Sequence, residues 1–200
     1  PLFKGLFNRE ISIRFDRRKN HSCIHSYTNS KGIITFFNSV IGIPLGSKKD
    51  IHIPEIIRKS NMRIKREFIK GLGDTEFSLV FKKRYRNKHY YPVISLSTQS
   101  KNLQKEIIEI LRELGFNPCY ISEYPTFRNG KQLYINQINL NGLSNLNLWM
   151  KKIGFNSTKH LTKYRIWKKH GFCPSKTNIL ERQKILKGEI DINSFYGAVA

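Results

Sequence analysis

Two carboxylates, Asp74 and Glu76, stand one residue apart in the run Phe68-Ile69-Lys70-Gly71-Leu72-Gly73-Asp74-Thr75-Glu76-Phe77-Ser78. Acids placed this way suit a divalent cation. Magnesium takes oxygen ligands and needs only one or two carboxylates, with water and substrate phosphate completing its shell. A cation held there would polarise a phosphoryl oxygen, activate water and stabilise a leaving oxygen. The rest of the chain suggests the substrate. Lys and Arg number 36 against 14 Asp and Glu, a net charge of +22 over 200 residues. Such an excess implies a polyanion partner, nucleic acid first and an anionic membrane second. Metal-binding acid inside a basic protein is the combination needed to cut a phosphodiester. On spacing alone, Asp74 could equally be a cap and Glu76 solvated surface.

The elements around the acids can be derived locally. Pro54 ends an extended run, Ile51-His52-Ile53, and Ser60 or Asn61 can cap the helix that follows by accepting from its free backbone N–H groups. Ile64, Phe68, Ile69 and Leu72 then share one helical face. After Glu76 the pattern changes to Phe77, Leu79 and Phe81 alternating with Ser78, Val80 and Lys82, which is strand-like. The acids therefore sit where a helix gives way to a strand, with Gly71 and Gly73 leaving room for close packing of a second helix.

With those residues in place, the run resembles the motif of the LAGLIDADG homing endonucleases, in the branch found in inteins and archaeal introns. Gly71 matches the motif's first glycine, Asp74 its first acid and Glu76 its second, metal-binding acid. The upstream runs Gly42-Ile43-Pro44-Leu45-Gly46-Ser47-Lys48-Lys49 and Ile53-Pro54-Glu55-Ile56-Ile57 also look like that branch. Phe77 departs from it, since the family usually has glycine there. The resemblance implies two motif helices side by side, each delivering a carboxylate that holds Mg2+ against the scissile phosphates. It points to Glu76 as metal ligand, to Asp74 beside it, and to Lys159, with Lys48 as its counterpart, as lysines that stabilise charge or orient water. The second carboxylate would come from a second chain, a missing N-terminal segment, or Glu10.

Composition sets the frame. Hydrophobic residues make up 39% and aromatics 12%, as in a folded protein. No apolar run approaches the roughly 20 residues of a membrane span. Cys23, Cys119 and Cys173 are scattered with no CxxC pair, which supports neither a zinc site nor a disulfide framework, although His170-x-x-Cys173 could be half a metal site. These features lead us to expect an intracellular protein, cytoplasmic, nucleoid-associated or in an organelle.

The order of elements suggests an internal repeat with one copy cut short. After the acids come expected strands 77–84 and 90–98, helix 101–114, strands 119–127 and 131–140 around an Asn129-Gly130 turn, and helix 144–153. Residues 2–49 look like the second part of the same unit at an offset of 108 to 112. A competing register aligns residues 2–12 with 68–78 and makes Glu10 the partner of Glu76, but leaves too little chain between them for four strands and two helices. The expected fold is α+β: a LAGLIDADG-type αββαββα half-domain over 58–160 with a curved antiparallel sheet, a partial first half over 1–57, and a basic tail over 161–200 with a helix near 178–187.

The strand hairpins are the expected DNA contacts. Lys82, Arg84, Arg86 and Lys88 rim the first hairpin of the complete half, Arg128 and Lys131 the second, and Arg14, Arg17, Arg18 and Lys19 the corresponding hairpin of the partial half. A two-stranded ribbon fits the major groove of double-stranded DNA, where arginine and lysine read guanine or hold phosphates. The leading expectation is a site-specific, magnesium-dependent DNA endonuclease of homing type. The alternative is a degenerate relative that binds DNA or intron RNA without cutting, as a maturase or regulator would. A general RNA-binding protein is a weaker option, because no RNP-like aromatic motif or GXXG loop is present.

Overall fold

A computed structural model describes residues 2–18, 21–46, 49–128 and 130–196. The chain forms two compact units, Pro1–Gly46 and Ser47–Ala200.

The first unit runs helix α1 (Leu2–Phe7), strands β1 (Ser12–Arg18) and β2 (His21–Tyr27), and helix α2 (Lys31–Thr35), which continues as a π-helical turn over Phe36–Val40. The strands pair antiparallel, Ser12 opposite Tyr27 and Phe15 opposite Ile24. Ser30 caps α2 by accepting from the Ile33 N–H. Phe7 sits 4.9 Å from Phe3, 6.0 Å from Phe36 and 5.7 Å from Phe37, ring centre to ring centre. Among the described residues of this unit Ile33 alone is buried.

The second unit opens with a short helix, α3 (Glu55–Arg58), and the longer α4 (Met62–Thr75). Asn61 is the cap, accepting from the N–H groups of Arg63 and Ile64 at 3.1 Å. There follow β3 (Ser78–Lys82), β4 (Tyr91–Thr98), α5 (Lys101–Glu113), β5 (Cys119–Arg128), β6 (Lys131–Asn141) and α6 (Gly142–Lys152), so α4 to α6 run in the order αββαββα. Helices α7 (Thr158–His170) and α8 (Ile179–Lys187) and a 3-10 turn over Ile192–Tyr196 complete it. The sheet is antiparallel in the order β3-β4-β6-β5. The protein is thus α+β. No described helix is long and apolar enough to cross a membrane.

Strand alternation gives the sheet two unlike faces. Leu79, Phe81, Ile94, Leu96, Ile138 and Leu140 lie on one face and are buried with Ile69, Ile107, Leu111, Leu146 and Trp149 of the helices. The register puts Ser78, Ser95, Asn139, Ser97, Gln137 and Asn141 on the other. Residues from the expected tail, Ile166, Phe172, Ile185 and Ile192, belong to the same core. The segment before α4 is also stitched to this unit. The Ser100 hydroxyl donates to the Ile51 carbonyl at 2.6 Å, and the buried Glu106 carboxylate accepts from the Ile53 N–H at 2.6 Å and from Arg58 at 3.2 Å. The sequence division falls at 57/58, whereas the compact units divide at 46/47.

Candidate active site and nucleic-acid interface

The end of α4 gives its two acids different surroundings. The Leu72 carbonyl accepts from both the Glu76 N–H, at 2.8 Å, and the Phe77 N–H, at 3.0 Å, which closes the helix and turns the chain into β3. Phe77 has no left-handed backbone and is 1% exposed, its ring 5.3 Å from that of Trp149. The position where the resembled family usually has glycine is filled here by a core side chain. Glu76, its neighbour, is exposed. Asp74 is committed elsewhere. Its carboxylate accepts from the N–H groups of Asn156, at 2.9 Å, and Ser157, at 2.8 Å. Those donors start α7, whose own N-cap Ser157 makes no side-chain cap bond. A carboxylate there satisfies free N–H groups and faces the positive end of the helix dipole. Asp74 thus ties the end of α4 to the start of α7, where Lys159 is exposed in the first turn.

The glycines also divide. A methyl on Gly73 would stand 2.8 Å from Cζ2 of Trp149, so Gly73 lets α4 pack on α6 within this unit. Nothing lies within 4 Å of the same position on Gly71. Gly71 and Ile64, the latter 45% exposed, mark an open side of α4.

Helix α7 covers the outer edge of β3. Among the described residues that strand pairs only with β4, so the backbone groups along its other side need partners from outside the sheet. The Leu79 N–H donates to Nδ1 of buried His160 at 3.4 Å, and the Leu79 carbonyl accepts from Lys163 Nζ at 2.9 Å. The His160 pKa is pushed down to about 4, chiefly by burial and then by the charges of Lys159 and Lys163. It is therefore neutral at pH 7 and able to accept. Burial likewise holds the Lys163 ammonium below its ordinary value.

Glu76 borders a concavity of about 300 Å³ lined by Ile51, Leu72, Leu96, Ser97, Thr98, Gln99 and Leu103. Ser97 and Gln99 are absent from the sequence-based candidates because they are uncharged and only the fold brings them beside Glu76. The donor set is of the right kind for magnesium: a free carboxylate with a hydroxyl and an amide close by, all hard oxygen donors. Among the described residues no three His, Cys, Asp or Glu side chains gather into a metal cluster. Cys173, half of the His170-x-x-Cys173 pattern, is buried, and burial raises its thiol pKa to about 11.

The basic rim of the β3–β4 hairpin is ordered by aromatic rings. The Arg84 guanidinium lies 3.8 Å from the Tyr91 ring centre and that of Arg86 lies 5.3 Å from Tyr90. Lys88 is held differently, with Nζ 4.3 Å from the Phe172 ring and donating to Asn193 at 3.1 Å. Lys82 and Lys131 are exposed at strand ends. In the first unit Arg14 lies 5.4 Å from the Tyr27 ring. Arg17 and Arg18 fall in β1 and Arg128 in β5. Lys19 and Lys48 lie outside the described residues. Within the second unit, the Ser, Asn and Gln row of the open sheet face runs between the β3–β4 and β5–β6 hairpins. Side chains of these types are able to pair with base edges, asparagine and glutamine with adenine and serine with several bases. Sequence reasoning that followed charge passed over them, although Gln137, Asn139 and Asn141 alternate with Ile138 and Leu140.

No family model matches the chain, and no curated protein matches it. Among solved structures, mesophilic variants of the homing endonuclease I-DmoI are similar at 19% identity and a TM-score of 0.47, over 76% of this chain and 63% of theirs. Two further I-DmoI variants, each in complex with target DNA, one with magnesium and one with manganese, are 19% and 18% identical. Both have a TM-score of 0.46 and are covered over 67% and 66% of their length. The chain thus spans less than two thirds of the first of these structures.

Proposed function

We propose that this protein is a magnesium-dependent, site-specific DNA endonuclease of the LAGLIDADG homing type, as the motif resemblance implies. The observation that carries the proposal is the juxtaposition at the end of α4. An exposed carboxylate, Glu76, shares a concavity with Ser97, Thr98 and Gln99 beside the open sheet face, and the hairpins at the ends of that sheet carry arginines and lysines in a protein of net charge +22. In this reading the basic rims hold DNA phosphates and the Ser, Asn and Gln row contacts bases in the major groove. Glu76 holds the metal, with Ser97 and Gln99 as neighbouring oxygen donors. When bound, the metal supplies a polarised phosphoryl oxygen and an activated water. Asp74 acts as a positioning residue by fixing the start of α7. Lys159 and Lys48 stabilise negative charge that develops on the phosphate. The open side of α4 at Gly71 suits close approach of a second motif helix, from a second chain or a segment outside this sequence, which would bring the second carboxylate.

A second reading, a relative that binds DNA or intron RNA without cutting, is favoured by one observation. The core side chain Phe77, 1% exposed and packed on Trp149, stands where the resembled family usually has glycine. The deciding experiment incubates the protein with a randomised duplex library, with and without Mg2+. The nuclease reading expects cleaved ends enriched in one sequence only when the metal is added. Sequence-selective binding with no cleavage at any metal concentration would favour the second reading.

A further inference from the structure

Strand β5 carries one residue more than β6 between the pairs Ile121–Gln137 and Tyr124–Ile135, so Ser122 and Glu123 stand opposite the single residue Asn136. Glu123 has φ 56, the left-handed region that non-glycine residues rarely occupy. Such a conformation persists only where its surroundings over-determine it, and here they do. The Glu123 N–H donates to Oδ1 of Asn136 at 3.0 Å, and the Glu123 carboxylate accepts from Lys101 at 2.7 Å. The Ser122 hydroxyl donates to Gln104 at 2.7 Å, while the Gln104 amide donates to the carbonyls of Ile121 and Gln137 at 2.9 and 2.8 Å. Asn136 and Gln104 are 2% and 1% exposed. The Asn136 amide also donates to the Gln99 carbonyl at 3.1 Å.

The extra residue decides which half of β5 faces outward. Before it, Cys119 and Ile121 pair with Asn139 and Gln137 on the open face. After it, the even-numbered Tyr124 and Thr126 pair with Ile135 and Leu133 on that same face. An unbroken register would instead turn Glu123, Pro125 and Phe127 outward there, which places a carboxylate on the face that meets the duplex. Bulges are used to re-aim side chains in this way.

We propose that Asn136 is a positioning residue for sequence readout. Together with Gln104 it holds the register shift that presents Tyr124 and Thr126 to the duplex, and it ties that end of the sheet to the Gln99 backbone beside Glu76. The inference rests on the DNA-binding reading above. In the test, the whole chain selects from a randomised duplex library at fixed salt, and bound sequences are compared for the wild type, Asn136→Asp, Tyr124→Phe and Thr126→Val. Asn136→Asp keeps the acceptor for Glu123 and loses the donor to Gln99. Tyr124→Phe and Thr126→Val leave the bulge untouched, and circular dichroism checks folding throughout. We expect the last two variants to change base preference at the outer positions of the site, roughly tenfold for a lost base contact. Asn136→Asp should flatten preference at those same positions, with low-salt affinity within about threefold and the salt slope unchanged. If Asn136→Asp or both outer variants keep full preference at every position, the proposal fails. If Asn136→Asp does not fold, Gln104→Glu, which keeps the acceptor for Ser122 and loses the donor to the Ile121 and Gln137 carbonyls, takes its place under the same criteria. A wild-type protein that selects no sequence would overturn the DNA-binding reading itself.

Discussion

In the second unit one face of β3, β4 and β6 is sealed under helices, and Leu79, Ile94 and Ile138 on it are each 0% exposed. In the first unit the apolar side chains of β1 and β2 have no such cover: Ile13, Phe15 and Ile24 are 59%, 67% and 66% exposed. Both units read the same way locally, as strand pairs followed by a helix. The difference is one of completeness. A two-stranded hairpin has too little surface to form a core, whereas four strands with packed helices do. Local pattern specifies the elements, and burial depends on how many elements can share one face. The candidate chemistry lies in the complete unit, where a rigid core can hold Glu76, Ser97 and Gln99 in place.

The strongest way to break this comparison is to remove matched side chains. Trp149, 0% exposed and packed against Phe77, Phe116 and Phe155, is central to the second unit. Trp149→Ala should cost about 3–5 kcal/mol in urea denaturation. Phe15→Ala should change stability by no more than about 0.5 kcal/mol. Equal costs would mean that the first unit has a core of its own.

Acid should act on the second unit through His160. Its pKa in the folded protein lies below the ordinary value of 6.5, at about 4. Its contribution is therefore fully present above pH 6.5 and is lost as pH falls through 4. The loss should approach about 3 kcal/mol. The check is the urea midpoint at pH 7 and pH 4 in the wild type and in His160→Leu. The variant should start less stable and lose less on acidification, and an identical pH response in both proteins would refute the assignment.

The two glycines of α4 give the smallest and sharpest contrast. Gly73→Ala forces a methyl into Trp149 and should destabilise by about 1–3 kcal/mol. Gly71→Ala meets nothing and should stabilise by up to about 1 kcal/mol, because alanine is the better helix former. If the open side of α4 receives a second helix, Gly71→Ala should nonetheless slow cleavage, so stability and activity would move in opposite directions.

Much of the second unit was legible in the sequence because its signals are local. The apolar periodicity of 101–114 corresponds to α5, and Gly130 of the expected Asn-Gly turn lies between β5 and β6, Asn129 itself lying outside the described residues. The helix expected near 178–187 is α8, which opens with an Asn178–Glu181 capping box. What was not legible depends on distant partners. Helix α7 has basic residues around most of its circumference and buries His160 and Thr162 with Ile166, so no clean apolar stripe marks it. Asp74 reads as a motif acid, and its bonds to Asn156 and Ser157 join residues 82 and 83 positions apart. Ser97 and Gln99 carry no charge and gain a candidate role only because folding sets them beside Glu76. The bulge in β5 could not be anticipated, because Glu123 is a residue that normally avoids its backbone angle.

The most direct test of the central claim is cleavage and binding of a selected duplex by Glu76→Gln. The substitution keeps the shape of the side chain and removes the charge that would hold the metal. Cleavage in Mg2+ should fall by orders of magnitude. Affinity for the duplex should hold or rise, because a negative charge facing phosphate is lost. Loss of binding and cleavage in equal measure, or cleavage at the wild-type rate, would contradict the assignment of Glu76 as the metal-holding carboxylate.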